Sequence, residues 1–374
     1  MKTIMFLRGS SANPDSRLEK EVQSLTKNGY SVTILAWNRE GLAPSFEQKQ
    51  GYIIKRMNFR APHQCKEKIF LYLPIWWTWL FIQIMRSNCE CIHAADFDTY
   101  FPALFAAKLK RIPIIYDIYD FYPDLMPLPS IIHKIATKID ITLMRHADRT
   151  IVVDSCRLKQ IEYRKGDRVE IIYNTPPEEM VDNIVVSEIE KEFTIFYGGG
   201  IYPDRDIMSM LEIVASLGSI KIIIAGFGND ELIDPIKEFC EKQTCATFLG
   251  RIPYSEILLN SKKSDVLFAL YNPNVPNNKV ASPNKLFEAM MCGKPIIVNE
   301  GVATADKVRE ENCGLVIPYG DYEALKEAVL LLKNNPELRK ELGENGRRAY
   351  DTKYNWKIME KRLLDLYASL EEKQ

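Results

Sequence analysis

The 374-residue chain is long enough for two domains that each bury a core. Apolar residues make up 46% and charged residues 26%, and 49 Lys and Arg against 50 Asp and Glu leave no basic excess to favour nucleic acid. The eight cysteines (Cys65, Cys89, Cys91, Cys156, Cys240, Cys245, Cys292, Cys313) show no paired metal-ligand spacing, and with no secretory segment ahead of them they read as reduced thiols of a cytosolic protein.

Short β-branched runs alternate with longer helical patterns from end to end, which predicts parallel sheets wrapped by helices. In the first half, strands are expected at Thr3–Leu7, Ser31–Ala36, Ile53–Met57, Cys91–Ala94, Pro113–Asp117, Thr150–Val153 and Val169–Tyr173. Helical patterns such as Ser16–Lys27 and Ile131–His146 lie between them. The run from Ile69 to Met85 holds no charge and includes Trp76, Trp77 and Trp79. It is shorter than the roughly 20 apolar residues of a spanning helix, and Pro74 interrupts it. Two readings stand: a core helix beginning at Pro74, or a helix at a membrane interface. The second draws on the six basic residues between Lys55 and Arg86 (Lys55, Arg56, Arg60, Lys66, Lys68, Arg86) against one acidic, Glu67.

The stretch Tyr173-Asn174-Thr175-Pro176-Pro177, then polar and acidic to Glu192, reads as a linker. The alternation restarts with strands expected at Phe193–Tyr197, Ile220–Ala225, Thr247–Leu249, Asp265–Leu270, Pro295–Asn299 and Gly314–Ile317. Three helices follow Gly320, the last over Trp356–Leu370. The fold expected is therefore α/β, with two Rossmann-like domains facing a cleft. Residues 1–180 form the first, 181–352 the second, and 353–374 a helix packing back on the first. Ligands of such sheets bind beyond the carboxyl ends of the strands.

Three segments fall on that rim in the second domain. Gly198-Gly199-Gly200 is followed by Arg205, where glycines let a backbone approach a phosphate and an arginine opening the next helix adds a bidentate donor. In Ser282-Pro283-Asn284-Lys285-Leu286-Phe287-Glu288, Ser282 would cap a helix with Pro283 in its first turn, making an anion site with Lys285 nearby. Glu288, one turn on, could accept bonds from a ribose diol; the alternative is an exposed Lys–Glu pair on a helix surface. Ala225-Gly226-Phe227-Gly228-Asn229 closes another strand.

Together these motifs resemble the family-four retaining glycosyltransferases of the GT-B fold. The resemblance implies that Arg205, Lys285 and backbone N–H groups around Gly199, Gly200, Gly226, Ser282 and Asn284 hold a diphosphate, and that Glu288 holds the ribose. Leu249-Gly250-Arg251-Ile252-Pro253 is similar to the family's base-contact loop, which brings in Arg251 and Ile252. The sequence departs from the pattern at Gly200, where an arginine is usual, and at Val280, where the first of two glutamates is usual. In the first domain, His93-Ala94-Ala95-Asp96-Phe97-Asp98-Thr99 and Tyr116-Asp117-Ile118-Tyr119-Asp120-Phe121 resemble the loops lining the cleft. Tyr119 and Asp120 stand where the family has His and Glu, and Gly9 and Ser10 follow the first strand; these four are the expected acceptor or sugar contacts. Asp96 is read as an acceptor contact rather than half of an Asp96–Asp98 metal site.

The function implied is a retaining, metal-independent transfer of a sugar from a UDP- or GDP-sugar to a hydroxyl acceptor, with no cofactor. Arg205, Lys285 and Asp96 carry the chemistry. The acceptor expected is a glycan or lipid-linked molecule in cell-surface polysaccharide or glycoconjugate synthesis, met at the inner, anionic face of a membrane. The alternatives are a nucleotide-sugar epimerase of the same architecture, or a catalytically silent membrane-peripheral module.

Overall fold

The computed structural model describes residues 2–13, 15–61, 69, 71–126, 128–178 and 192–371. The chain divides into two units, Met1–Tyr173 with Glu360–Gln374, and Asn174–Met359.

The first unit begins with β1 (Thr3–Arg8), α1 (Ser16–Lys27), β2 (Ser31–Trp37), β3 (Phe46–Lys49), β4 (Tyr52–Met57) and α2 (Leu73–Arg86). It continues with β5 (Cys91–Ala95), α3 (Phe97–Lys110), β6 (Ile114–Ile118), α4 (Tyr122–Leu125), α5 (Ser130–Met144), β7 (Arg149–Val152), α6 (Arg157–Gln160) and β8 (Val169–Ile171). Among the described residues the strands form one sheet in the order β3-β4-β2-β1-β5-β6-β7-β8. All neighbours are parallel except β3, which turns back on β4 as a hairpin. The hairpin strand Phe-Glu-Gln-Lys has no apolar run, so nothing in its composition announced it.

Every residue of β5 and β6 is buried, as expected of central parallel strands covered on both faces. α1 starts where the Asp15 carboxylate accepts the Leu18 N–H at 3.1 Å, with Glu19 in its first turn and Lys27 in its last. It carries the chain from β1 to β2, whereas α2, α3 and α5 carry it the other way, to β5, β6 and β7. Right-handed crossovers therefore put α1 on one face and the other three on the opposite face. Their buried sides share one apolar cluster with the sheet, which includes Trp76, Leu80, Tyr100, Leu104, Ile141 and Met144.

That packing settles how the tryptophans are used. Trp76 is fully buried and stacks on Trp37 at 5.3 Å. Trp79 stacks on Trp76 at 5.5 Å, and Trp77 donates its indole N–H to the Asp98 carbonyl at 2.9 Å. The Trp76 indole belongs to the core side of α2, and Trp77 and Trp79 are half-buried against the same cluster. Glu67, Lys66 and Lys68, counted among its charged flanks, lie outside the described residues, as does Cys65.

The second unit holds β9 (Thr194–Gly200), α7 (Ile207–Leu217), β10 (Lys221–Phe227), α8 (Asp230–Lys242), β11 (Ala246–Gly250) and α9 (Tyr254–Lys263). Next come β12 (Val266–Ala269), α10 (Pro276–Lys279), α11 (Asn284–Cys292), β13 (Ile296–Asn299), α12 (Ala303–Glu311) and β14 (Gly314–Ile317). The chain ends with α13 (Tyr322–Asn334), α14 (Pro336–Ala349) and α15 (Trp356–Glu371). The described strands form a parallel sheet in the order β11-β10-β9-β12-β13-β14. β12 and β13 are buried throughout, and residues such as Ile195, Met210, Ile222, Phe268 and Val329 make its core.

From Glu360 onward α15 belongs to the first unit. There the Tyr367 hydroxyl lies 2.8 Å from His93 Nδ1, Arg362 donates to the Ile171 carbonyl at 2.9 Å, and Arg149 donates to Ser369 Oγ at 2.7 Å.

Candidate active site

In the second unit the glycine triplet is not a loop. Gly198–Gly200 continue β9, in register with Ala225–Phe227 of β10. The glycines are required by what lies against them. A Cβ at Gly226 would sit 2.1 Å from the Gly199 carbonyl oxygen, and one at Gly199 would sit 2.8 Å from Lys285 Nζ. Gly199 also has φ +141°, which disfavours any side chain. Position 200, where the family's arginine is usual, has the Tyr202 ring 2.4 Å from a built Cβ. The ring occupies that space instead.

Arg205 does not open α7 as expected. It ends a 3₁₀ turn, Pro203–Arg205, and Asp206 in the left-handed region separates it from the helix. Nη1 of Arg205 donates to Asp204 Oδ2 at 2.7 Å and to Asn278 Oδ1 at 3.0 Å, and its guanidinium lies 3.8 Å from the Tyr271 ring centre. Asn278 is itself held by bonds to Asp204 at 2.5 Å and to the Asn272 carbonyl at 3.0 Å. This chain of bonds fixes the guanidinium through one nitrogen.

α11 begins at Asn284 with Pro283 in the cap position, so Ser282 is not the cap and Pro283 is not in the first turn. Asn284 accepts a bond from Asn174 at 2.7 Å. Lys285 and Glu288 are both buried, which excludes the exposed surface pair. The Lys285 ammonium lies 4.4 Å from the Tyr197 ring centre and 5.9 Å from that of Tyr271. Burial opposes its charge, but Tyr197, Tyr271 and Glu288 outweigh burial and hold it above the ordinary lysine value. Glu288 accepts the Tyr254 hydroxyl at 3.0 Å. Arg205 and Lys285, eighty residues apart, thus both lie over one ring, Tyr271. At the end of β10 the half-exposed Phe227 ring has the Arg251 guanidinium 5.2 Å from its centre, and Ile252, next in the chain after Arg251, is half-buried.

In the first unit, Asp96 leaves β5 at φ 66°, ψ 163°, a conformation that costs a residue with a Cβ about 1–3 kcal/mol. Its carboxylate holds three donors: the N–H groups of Tyr119 at 3.0 Å and Asp120 at 3.2 Å, and Arg8 Nη1 at 2.5 Å. Burial pushes its carboxyl up to about 7, against the pull of Arg8, with Asp98 and Asp120 adding to the rise. Arg8 also bonds Asp15 at 2.8 Å. Asp98 is buried with Arg39 at 3.5 Å, and a Cβ at Gly9 would meet its carboxylate at 2.0 Å. The Ser10 carbonyl accepts from Trp37 at 3.0 Å. Asp96 thus pins the loop after β6 to the end of β1.

Tyr119 is likewise turned inward, its ring between the guanidinium groups of Arg8 and Arg17 at 4.2 and 4.7 Å. Asp120 is half-exposed and takes a bond from Arg157 at 2.9 Å. His93 is a buried strand residue stacked on Phe6, not a loop residue. Its Nε2 lies 3.3 Å from Asp117, which Arg17 grips through both oxygens at 3.0 Å. Glu21, His93 and Asp117 are close enough to share a cation, but Arg17 already bridges Glu21 and Asp117, and that charge occupies the place.

Sequence reasoning missed Tyr271, Tyr202, Asp204, Asn278 and Tyr254, each of which positions a predicted residue. Single aromatic, amide and carboxylate side chains outside the glycine and proline motifs have no spacing signal, and only the folded chain brings them to Arg205, Lys285 and Glu288.

Residues 18–175 match the family described as Glycosyltransferase Family 4, and residues 182–349 match the one described as Glycosyl transferases group 1. An uncharacterized glycosyltransferase of Methanocaldococcus jannaschii is 27% identical over 214 residues, 56% of either chain. The capsular polysaccharide biosynthesis glycosyltransferase CapM of Staphylococcus aureus is 26% identical over 187 residues, 48% of this chain and 47% of that one. The matched stretches thus span about half the length of these curated relatives. Among solved structures, the sucrose-phosphate synthase of Thermosynechococcus elongatus superposes over 100% of both chains with a TM-score of 0.79 at 16% identity. HepE of Anabaena in complex with UDP-glucose superposes over 99% of this chain and 100% of that one, with a TM-score of 0.72 at 12% identity.

The class that this fold and these matches define is the GT-B glycosyltransferases, transferases built on two Rossmann-like domains. Within it, the chain belongs to the family-four type.

Proposed function

We propose that the protein transfers a sugar, with retention of configuration and without a metal, from a nucleoside diphosphate sugar to a hydroxyl acceptor. The observation that carries this reading is the convergence of Arg205 and Lys285 on Tyr271 beside the Lys285–Glu288 turn of α11. When the bond between the anomeric carbon and the β-phosphate oxygen breaks, negative charge collects on that phosphate. Two cations fixed in advance stabilise it without reorganising. The acceptor oxygen bonds to the anomeric carbon on the same face, and its proton passes to the departing phosphate. Glu288, fixed by Tyr254, is assigned the ribose hydroxyls, while Phe227 with Arg251 and Ile252 offers a flat surface for the base. The structural neighbour HepE, whose complexes contain UDP and UDP-glucose, supports a nucleotide-sugar donor.

Asp96, with Arg8, is assigned to shaping the acceptor side, where Gly9, Ser10 and Asp120 sit. The acceptor assigned is a lipid-linked glycan at the cytoplasmic face of a membrane, in cell-surface polysaccharide or glycoconjugate synthesis. The relation to CapM supports the polysaccharide part of that assignment. The test is a thermal-shift screen of UDP- and GDP-sugars, followed by a transfer assay with extracted lipid acceptors and excess chelator. A donor at 100 times its Kd raises stability by about 2.7 kcal/mol. No shift with any nucleotide sugar overturns the reading. Activity that disappears in chelator and returns with magnesium or manganese overturns its metal-independent part.

A further inference from the structure

Eighteen large apolar side chains stand exposed among the described residues, and half of them lie on α2, α3 and α5, the three helices on one face of the first sheet. α5 is the extreme case. Its first ten residues, Ser130–Ile139, include no buried residue, and burial begins at Asp140. Ile131, Ile135 and Ile139 recur at every fourth position along one side, with Ile132 beside the first; Ile131 is 72% exposed. That stripe is about 12 Å long at the helical rise. Ile75 and Ile82 on α2, and Phe105 and Leu109 on α3, extend the apolar outer surface.

The charges on these helices are one-sided. The exposed ones on α2, α3, α5 and the residues capping them are Arg86, Lys108, Arg111, Lys134, Lys138 and Arg145, all basic. The acids of the same helices, Asp98 and Asp140, are buried. Isoleucines framed by lysines and arginines match a surface with hydrocarbon beneath a layer of anionic headgroups. A second copy docked symmetrically would set like charges against each other. No described helix is long and apolar enough to cross a membrane, so such a surface lies on the bilayer rather than through it.

We propose that the outer side of α5, with the adjoining outer sides of α2 and α3, seats the first unit on an anionic lipid surface. This deepens the assignment of a membrane-presented acceptor and rests on it only for what the docking serves; it also replaces the tryptophans as the lipid-contacting group. The experiment is co-sedimentation of the full chain with vesicles of phosphatidylcholine alone or mixed with phosphatidylglycerol, at low and high salt. Binding is expected to need phosphatidylglycerol and to weaken with salt. The triple variant Ile131→Ser, Ile135→Ser, Ile139→Ser is expected to lower the partition coefficient by about 100-fold or more. Lys134→Glu with Lys138→Glu should also weaken binding, whereas Leu331→Ser, an exposed apolar residue of α13, should not.

UDP- and GDP-sugar binding, measured on the same variants, should match the wild type, which separates docking from the donor reading and checks the fold. The proposal is overturned if the folded wild type ignores phosphatidylglycerol vesicles at low salt, or if the triple variant binds them undiminished. It is also overturned if the wild type is a dimer that the triple variant dissolves while vesicles are ignored, which would make the occupant a second copy.

Discussion

Replacing Lys285 with methionine removes one charge while keeping most of the buried stem. The ammonium lies over Gly199, 4.4 Å from the Tyr197 ring centre, where the side chain is almost enclosed. A unit charge about 4 Å from a phosphate oxygen, at an effective dielectric near 20, contributes about 4 kcal/mol. If all of that develops in the transition state, the rate falls by about 10³, since each 1.36 kcal/mol is roughly tenfold. Removal of comparable fixed donors elsewhere costs about 10²–10³, so a loss in that range is expected in kcat. Arg205→Ala should fall in the same range, because its guanidinium is held over the same Tyr271 ring. The assay is single-turnover transfer at saturating donor, with thermal unfolding alongside. Lys285→Met forfeits a cation–π contact worth about 0.5–2 kcal/mol, which lowers Tm by only a few degrees. Folded variants of both residues that turn over within about threefold of the wild type would refute the leaving-group role, since no arrangement near a developing phosphate charge loses so little.

Four further outcomes follow from the same geometry. Glu288→Gln should raise the donor Kd more than it lowers kcat, because an amide accepts ribose hydroxyls less well than a carboxylate; equilibrium titration with the donor checks this. Gly199→Ala places a Cβ 2.8 Å from Lys285 Nζ at φ +141° and should lower both stability, by about 1–2 kcal/mol, and turnover, read by urea unfolding and initial rates. Trp76→Ala, in the core, should cost about 3–5 kcal/mol, whereas a tryptophan on the surface would cost far less. Burial pushes the Asp140 carboxyl up to about 7, although the Tyr116 hydroxyl donating at 2.9 Å pulls it down. Its raised folded value leaves stability untouched below about pH 4 and reduces it as pH rises toward 7, by on the order of 4 kcal/mol in full. Asp140→Asn should therefore stabilise at pH 8 and hardly change pH 4, and urea midpoints that shift equally at both would contradict the assignment.

Much of this protein was legible in the order of its residues. The restart of alternating strands and helices after Pro176-Pro177 marks the second domain, because a parallel sheet demands that alternation. The segments holding Arg205 and Lys285 stood out because, with Gly226, each follows a strand of one predicted sheet and so falls on one rim, where ligands of such sheets bind. What the sequence left open is what side chains do once enclosed. Asp96 reads as a contact for a ligand, yet its carboxylate is spent on Arg8 and two backbone N–H groups. Gly198–Gly200 read as an open loop, yet they extend β9 so that Lys285 and Tyr202 can pass over them. The tryptophans of α2 read equally as core or interface, and only packing against Trp37 turned Trp76 inward. The Ile131, Ile135 and Ile139 stripe carries the periodicity of a buried face, and only the tertiary structure shows that it meets solvent. Periodicity records which residues share a side of an element, because backbone geometry is local. Which side is covered, and which charge is already paired, depends on residues brought together from far along the chain.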